Sequence, residues 1–299
     1  MSSIEVDEHH AGQRVDNFLM TVLKGVPKSR IYRAIRGGEV RVNKGRVKAQ
    51  YRLQEGDWVR IPPIKTAVSE RLSPPIGLLS ILEKSIIYES DYFLLLNKPA
   101  GIPVHGGSGL QGGVIDIFRM RAPTPTFLEL VHRLDKGTSG CLLIAKKRSF
   151  LVMLNELIHK KKVQKRYLAL IAGQWPHHQT ITVNEPLRKN ALRSGERIVC
   201  VDVTGREAQT QFCLIQQGKN HALLECIPKT GRTHQIRVHL AHLGFPIVGD
   251  DKYGGNKAKR LYLHSASLSW AMMPDDSNRY YAFCAVVDTE FFALTANHV

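Results

Sequence analysis

The stretch Val131-His132-Arg133-Leu134-Asp135-Lys136-Gly137-Thr138-Ser139-Gly140 places the carboxylate of Asp135 on a turn between two apolar segments, with Arg133 close by. A carboxylate on such a turn is well placed to face a cleft and to act as a nucleophile or a base. A turn aspartate that caps a backbone amide has the same local pattern, so the stretch by itself leaves both readings open. A second constellation is Thr230-Gly231-Arg232-Thr233-His234-Gln235-Ile236-Arg237-Val238-His239-Leu240-Ala241-His242-Leu243-Gly244. Glycine at both ends brackets a helix over 232–243, with Ile236, Leu240 and Leu243 as its apolar stripe. At about 100° per residue, Arg237 falls about 60° from Leu240, at the margin of the buried face. A guanidinium held there needs a carboxylate, because burying it unpaired is costly. Arg232, at the helix entrance, competes for the same role, and periodicity does not choose between them. Third, Lys165-Arg166-Tyr167 opens a strand after the basic run His159-Lys160-Lys161-Lys162. Tyr167 offers a flat face for a nucleobase and a phenol for a hydrogen bond, although a strand tyrosine is ordinarily core filler.

Other chemistries are disfavoured. Gly107-Ser108-Gly109-Leu110-Gln111-Gly112 fits GxGxxG, but no acid follows about twenty residues on within a βαβ unit. His234, His239 and His242 lack the HExxH arrangement, so no metal is expected, and no GxSxG surrounds Ser108 or Ser139. The five cysteines are scattered, without a CxxC pair, which suggests neither a disulfide framework nor a thiolate zinc site and fits a reducing compartment. The N-terminus has no basic segment leading into an apolar one, and no apolar run approaches a membrane span, so a cytoplasmic protein is expected.

The elements that must position these groups fall into two textures. From Gly12 to Ile64 the pattern is two short helices and a small hairpin sheet. Val15, Phe18, Leu19 and Val22 recur at helical spacing. Ser29 is expected to cap the second helix, which turns Ile31, Ala34 and Ile35 inward and stops at Gly37-Gly38. Asn43-Lys44-Gly45 and Glu55-Gly56-Asp57 supply the turns. Residues 62–82 resemble a linker followed by a short helix. From Ile86 onward, apolar β-branched runs (86–96, 140–146, 166–172, 207–215, 221–227, 261–269) alternate with three helical stretches (114–121, 148–161, 232–243). Few helical crossovers separate the strands, which predicts an α+β domain around a mixed, mostly antiparallel sheet. The expected organisation is a small α/β domain over 1–65, a linker over 66–82 and a larger α+β domain over 83–299.

Charge points the same way. Against 26 acidic residues stand 42 Lys and Arg, a formal net charge of +16 over 299 residues. Residues 11–65 hold thirteen basic side chains and four acidic ones, so +9 of that excess sits in under a fifth of the chain. Arg30, Arg33 and Arg36, at i, i+3 and i+6, lie along one side of the second helix, where they can meet successive phosphates. A nucleic acid is the expected partner.

Two resemblances gather these signals. GQRVDNFL, PKSRIYRAIRGGEVRVNKGRV and EGDWVRI follow the order of the S4 RNA-binding domain. HRLDxxTSG, KxY about thirty residues on, GRTHQIRVH and LHSASL (Leu263 to Leu268), led by NKPxGxxVH at Asn97 to His105, resemble the RluA-type pseudouridine synthases. That resemblance runs from about Ile86 to Trp270. It implies a pseudouridine synthase fold and an isomerase that extrudes a uridine, cleaves its N-glycosidic bond, rotates the uracil and rejoins it through carbon. By the matching positions, Asp135 is the essential carboxylate, Tyr167 contacts the base, and Arg237 pairs with Asp135, which selects it over Arg232. Arg133 is expected to fill the space the uridine vacates, and His132, Arg232 and Leu263 to contact substrate or RNA alongside Arg30, Arg33 and Arg36. No cofactor is implied, the implied partner is large-subunit ribosomal RNA, and nothing demands more than a monomer. Gly137 departs from the polar or acidic residue usual at its position, which puts the rigidity of the loop in question more than its chemistry. The tail from Met272 matches nothing assignable.

Overall fold

The structure is a computed structural model that describes residues 2–8, 10–23, 25–64, 76–106, 112–122, 126–191, 197–271 and 280–295. The chain divides into two compact units, Met1–Ser73 and Pro74–Val299. Much of the expected linker, all of the GxGxxG stretch but Gly112, and the start of the C-terminal tail lie outside the described residues. No helix among the described residues is long and apolar enough to cross a membrane.

The first unit contains β1 (Ser2–Glu5), α1 (Val15–Val22), α2 (Lys28–Arg36), β2 (Arg41–Val42), β3 (Gly45–Arg46) and β4 (Trp58–Ile61). Helix α2 begins at Lys28 with Pro27 as its N-cap, so Ser29 lies inside the first turn and is not the cap. Its C-terminus is the expected glycine stop. Glu39 N–H donates to the Ala34 carbonyl and Gly38 N–H to that of Ile35, a Schellman closure that needs the positive φ of Gly38 (+71°). Ile31, Ala34 and Ile35 are buried, as their spacing requires, and Arg33 and Arg36 are left exposed. Asn43 and Lys44 both adopt positive φ (49° and 66°), the two-residue turn that joins β2 to β3. The sheet order is β1-β4-β2-β3. Strand β1 was not read from the sequence, and it pairs with β4 from Ser2↔Ile61 to Glu5↔Trp58.

The second unit opens with α3 (Ile76–Lys84) and is built on a ten-stranded sheet. In chain order its elements are β5 (Ile86–Glu89), β6 (Phe93–Lys98), α4 (Val114–Arg121), β7 (Glu129–Leu130), β8 (Ser139–Ala145), α5 (Arg148–His159), β9 (Gln164–Ala172) and β10 (Ile181–Val183). There follow β11 (Leu187–Ala191), β12 (Arg197–Val201), β13 (Thr210–Gln217), β14 (His221–Pro228), α6 (Gln235–His242), β15 (Leu263–Ala271), β16 (Tyr280–Cys284) and α7 (Glu290–Ala293). The order across the sheet is β10-β13-β14-β9-β15-β8-β6-β5, with β16 on β15 and β7 on β8. Every pairing in this sheet is antiparallel except β15 against β8, so the sheet is mixed and mostly antiparallel.

Strand β8 is buried along its whole length, which accounts for its continuous apolar run. Phe93, Leu95, Cys141 and Leu143 pack on one face of the β6–β8 pair with Phe150, Leu154 and Trp270. Leu94, Leu96, Leu142 and Ile144 pack on the other face with Val114, Ile115, Ile117 and Phe118 of α4. At the parallel pairing, a Cβ on Gly140 (φ +104°) would stand 2.2 Å from the Ser265 carbonyl oxygen. The glycine of the Thr-Ser-Gly tail therefore lets β8 lie against β15. Helix α4 matches its predicted span and α5 ends two residues early, just before Lys161 at φ 56°. Helix α6 starts at Gln235, three residues later than expected, because His234 takes a left-handed conformation (φ 54°, ψ 20°). The ribbon β11–β12 and strand β16 fall where no strand was read from the sequence.

Candidate active site

The chain before β8 carries Asp135 in a turn closed by Thr138 N–H donating to the Asp135 carbonyl. Lys98, at the end of β6, is fully buried, and its ammonium donates to the carbonyls of Pro99 (2.7 Å), Ile102 (2.8 Å) and Lys136 (3.3 Å). Gly101 N–H also donates to the Lys136 carbonyl. The Asn-Lys-Pro segment thus holds the Asp135 turn from below. Burial is the main cause that pulls the Lys98 amine down to about 7, with the Arg260 charge adding to it and Asp135 opposing.

Arg237 comes to this turn from α6. Its Nη1 donates to Asp135 Oδ2 at 3.2 Å, while Nε and Nη2 grip both oxygens of Asp250 at 2.8 and 2.7 Å. The bidentate partner is therefore Asp250, whose carboxylate is fully buried and also accepts the backbone N–H groups of Lys252 and Tyr253. Burial works against the charge on Arg237, but its bonds to Asp250 and Asp135 outweigh that and raise its pKa. The guanidinium also lies over the Tyr253 ring, 5.0 Å from its centroid. Asp250 and Tyr253 were missed in the sequence. The available signal was the demand of a half-buried arginine for a carboxylate, together with an acid held between two glycines of positive φ, Gly249 (77°) and Gly254 (87°).

His234 completes the group. The Tyr253 hydroxyl oxygen accepts the Val199 N–H (3.2 Å) and lies 2.7 Å from His234 Nδ1. The other ring nitrogen, Nε2, faces Asp135 Oδ1 at 3.7 Å. Burial is the largest influence on the ring and lowers its pKa from 6.5, which keeps it neutral at pH 7. The left-handed backbone at His234 is a cost the fold carries at the N-cap of α6.

A cleft of about 340 Å³ opens in front of these groups, and Tyr167, Leu263, Ile236, Lys165, Arg133, His132 and Arg232 all line it. Tyr167 sits on β9 between Cys226 of β14 and Ser265 of β15, with its side chain hydrogen-bonded to Ser265. Burial pushes its phenol up to about 12, so it acts as a neutral surface and a hydrogen-bonding group. Its ring packs against two of the apolar clusters and also lines the cleft, so it is both core filler and cleft wall. Leu263 is buried at the cleft, and Arg133 is exposed at its edge.

Two of the residues expected to contact substrate or RNA also make bonds within the protein. His132 accepts the Leu143 N–H on Nε2 (3.1 Å), and burial drives its pKa down to about 3. It is an uncharged bracket between the Asp135 turn and β8 and offers no cation to RNA. Arg232 Nε donates to the Glu207 carbonyl (2.8 Å), and among the described residues its side chain meets no carboxylate. In the first unit, Arg30 is bound through two bonds to Glu39 (3.0 and 2.7 Å), which leaves Arg33 and Arg36 as the exposed cations of the triplet. Among the described residues, no group of three His, Cys, Asp or Glu side chains could hold a metal ion.

Comparison with known proteins agrees with this geometry. The family model described as RNA pseudouridylate synthase matches residues 92–242, and that of the S4 domain matches residues 13–59. The ribosomal large subunit pseudouridine synthase C of Salmonella typhi is 52% identical over 281 residues, covering 90% of this chain and 87% of that protein. Its namesake from Escherichia coli (strain K12) is 51% identical over the same length and shares. Among solved structures, human RNA pseudouridylate synthase domain containing 1 superimposes with a TM-score of 0.58 at 26% identity, over 69% of this chain and 83% of its own. Given identity above one half across nine-tenths of its length, and a cleft in which a turn aspartate meets a helix-borne arginine, the chain belongs to the RNA pseudouridylate synthase family.

Proposed function

We propose that this RNA pseudouridine synthase acts on uridines of large-subunit ribosomal RNA, with Asp135 as the group on which the isomerisation turns. The observation that carries this reading is the approach of Asp135 Oδ2 to Arg237 Nη1 at 3.2 Å, in a cleft walled by Tyr167. A uridine in a stacked helix hides the atoms that react, so it must leave the stack, at a few kcal/mol of unstacking. Tyr167 then lies against the uracil and Leu263 closes the pocket beside it. Arg133, exposed at the cleft edge, is free to occupy the vacated place in the RNA.

The bond from N1 to C1′ breaks and one from C5 to C1′ forms. N1 ends with a proton and C5 loses one, so nothing is oxidised or hydrolysed. Asp135 serves either as the nucleophile at C1′ or as the base that takes the C2′ proton. In both routes a fixed carboxylate is needed. Arg237, itself held by Asp250, supports one oxygen, and Nε2 of His234 faces the other.

The first unit is read as the RNA-gripping module, since it concentrates positive charge and matches the S4 domain. The substrate assignment comes from the relatives, whose names place their activity on the large subunit. Large-subunit RNA labelled with tritium at uridine C5 tests the proposal, because pseudouridine formation releases that label. Release by the purified protein, at sites then mapped by sequencing, is the expected result. Release from transfer RNA alone would overturn the substrate, and release from neither RNA would overturn the reading.

A further inference from the structure

The polar groups around the cleft mostly find partners inside the protein: Asp135 and Asp250 share Arg237, His234 meets Tyr253, and Arg232 meets a carbonyl. Lys165 does not. Its side chain lines the cleft and is largely withdrawn from water, yet among the described residues it has neither a carboxylate nor a hydrogen-bond acceptor. Asn155 and Ile158, in the last turns of α5, line the same wall. The negative end of that helix dipole offsets only part of the cost of holding an ammonium there. An unpaired cation in a pocket is a site for an anion that arrives from outside.

The position of Lys165 says which anion. Strand β9 alternates, so Arg166 turns away to Glu225 (2.9 Å) while Lys165 and Tyr167 both face the cleft. Two residues along a strand span about 6.6 Å. That is the scale separating a nucleobase from its own backbone phosphate. Uracil is uncharged and offers a lysine only carbonyl dipoles, whereas each phosphodiester carries a full negative charge. Asp135, the carboxylate that lines the cleft, is already served by Arg237.

We propose that Lys165 is the anion subsite of the cleft and binds a phosphodiester flanking the extruded uridine. This rests on the reading that a uridine enters the cleft beside Tyr167. The phosphate replaces the missing partner, fixes the nucleotide along β9 and leaves Asp135 free for the sugar. Lysine suits the task, since its compact charge with three rotatable donors accepts a phosphate in several orientations.

The test uses the full chain and a large-subunit RNA oligonucleotide containing a mapped target uridine, made with a neutral methylphosphonate in place of the phosphodiester on either its 5′ or its 3′ side. Equilibrium binding and single-turnover rates are measured for wild type, Lys165→Met and Lys165→Arg. Lys165→Met is expected to weaken binding of the unmodified RNA about tenfold, with little change in the rate at saturation. Lys165→Arg should recover most of the loss. One of the two methylphosphonates should weaken wild-type binding by a similar factor and should cost Lys165→Met nothing further. The inference is overturned if neither methylphosphonate affects wild type, if the two losses multiply, or if Lys165→Met lowers only the saturated rate. Should Lys165→Met fail to fold, the wild-type and Lys165→Arg measurements still decide the matter. A wild type that binds these RNAs with the expected phosphate dependence but forms no pseudouridine would count against the function and not against the subsite.

Discussion

Asp135 owes its setting to residues remote from it in sequence. Arg237 makes three charge-assisted bonds, of which two go to Asp250 and one to Asp135. Asp250 is therefore the anchor, and Arg237 is the strut between it and Asp135. Removing one member of a buried ion pair leaves the other uncompensated. Asp250→Asn is expected to cost about 3 kcal/mol of stability, read from urea unfolding. It should also lower the single-turnover rate at least tenfold, because Arg237 then has only Asp135 to hold it. Unchanged stability and rate would show that Arg237 is positioned by its packing on Tyr253 instead. The sequence pointed to Asp135, Tyr167 and Arg237 because each lies in a short ordered motif, and it gave Arg237 a carboxylate to find. It hid Asp250, Tyr253 and the role of Lys98, because a partner reached across the fold leaves no local spacing. His132 shows the same limit: its neighbourhood in sequence is the Asp135 turn, whereas its hydrogen bond is to β8.

At the scale of elements, the decisive junction is the parallel contact of β8 with β15, where the strand leaving the Asp135 turn meets the strand that begins at Leu263. His264 locks it, with Nδ1 and the Ser139 hydroxyl 2.9 Å apart and Nε2 facing the Ala285 carbonyl at 3.3 Å. Burial, ahead of the other influences, lowers the His264 ring to about 4, against an ordinary 6.5. The folded state thus holds it neutral, while the unfolded chain binds a proton below pH 6.5. Its stabilising contribution is complete above pH 6.5 and is lost as the pH falls toward 4, on the order of 3 kcal/mol in all. His132, lowered further, acts in the same direction. The urea midpoint of the catalytic unit should therefore drop between pH 6.5 and 5, before most carboxylates titrate. His264→Asn should be less stable at pH 7.5 and show a shallower drop; an equal drop in both proteins would remove His264 from the account. The strands of this junction were legible as apolar runs, and the mixed sheet followed from their close spacing. Short, polar or edge elements such as β1 and the β11–β12 ribbon were not, because tertiary pairing rather than their own composition makes them strands. The late start of α6 was equally hidden, since nothing in Arg232-Thr233-His234 announces a left-handed histidine.

Along the chain, most of the net positive charge and the candidate active site fall in different units. Residues 11–65 carry more than half of the net charge, and the first unit has its own apolar core around Phe18, Ile31 and Val59. Arg33 and Arg36 face solvent there, while Arg30 is committed to Glu39. Arg33→Glu is expected to weaken RNA binding and to flatten its dependence on salt by about one unit of slope. The rate at saturating RNA should persist. A saturated rate that fell in parallel would mean that the first unit takes part in the chemical step. All of this depends on one carboxylate, so Asp135→Asn, which keeps the side chain's shape and removes its charge, tests the account most directly. In single-turnover assays with saturating C5-tritiated large-subunit RNA, wild type should release the label and Asp135→Asn should bind the RNA as tightly yet release none above background; release at the wild-type rate would contradict the account.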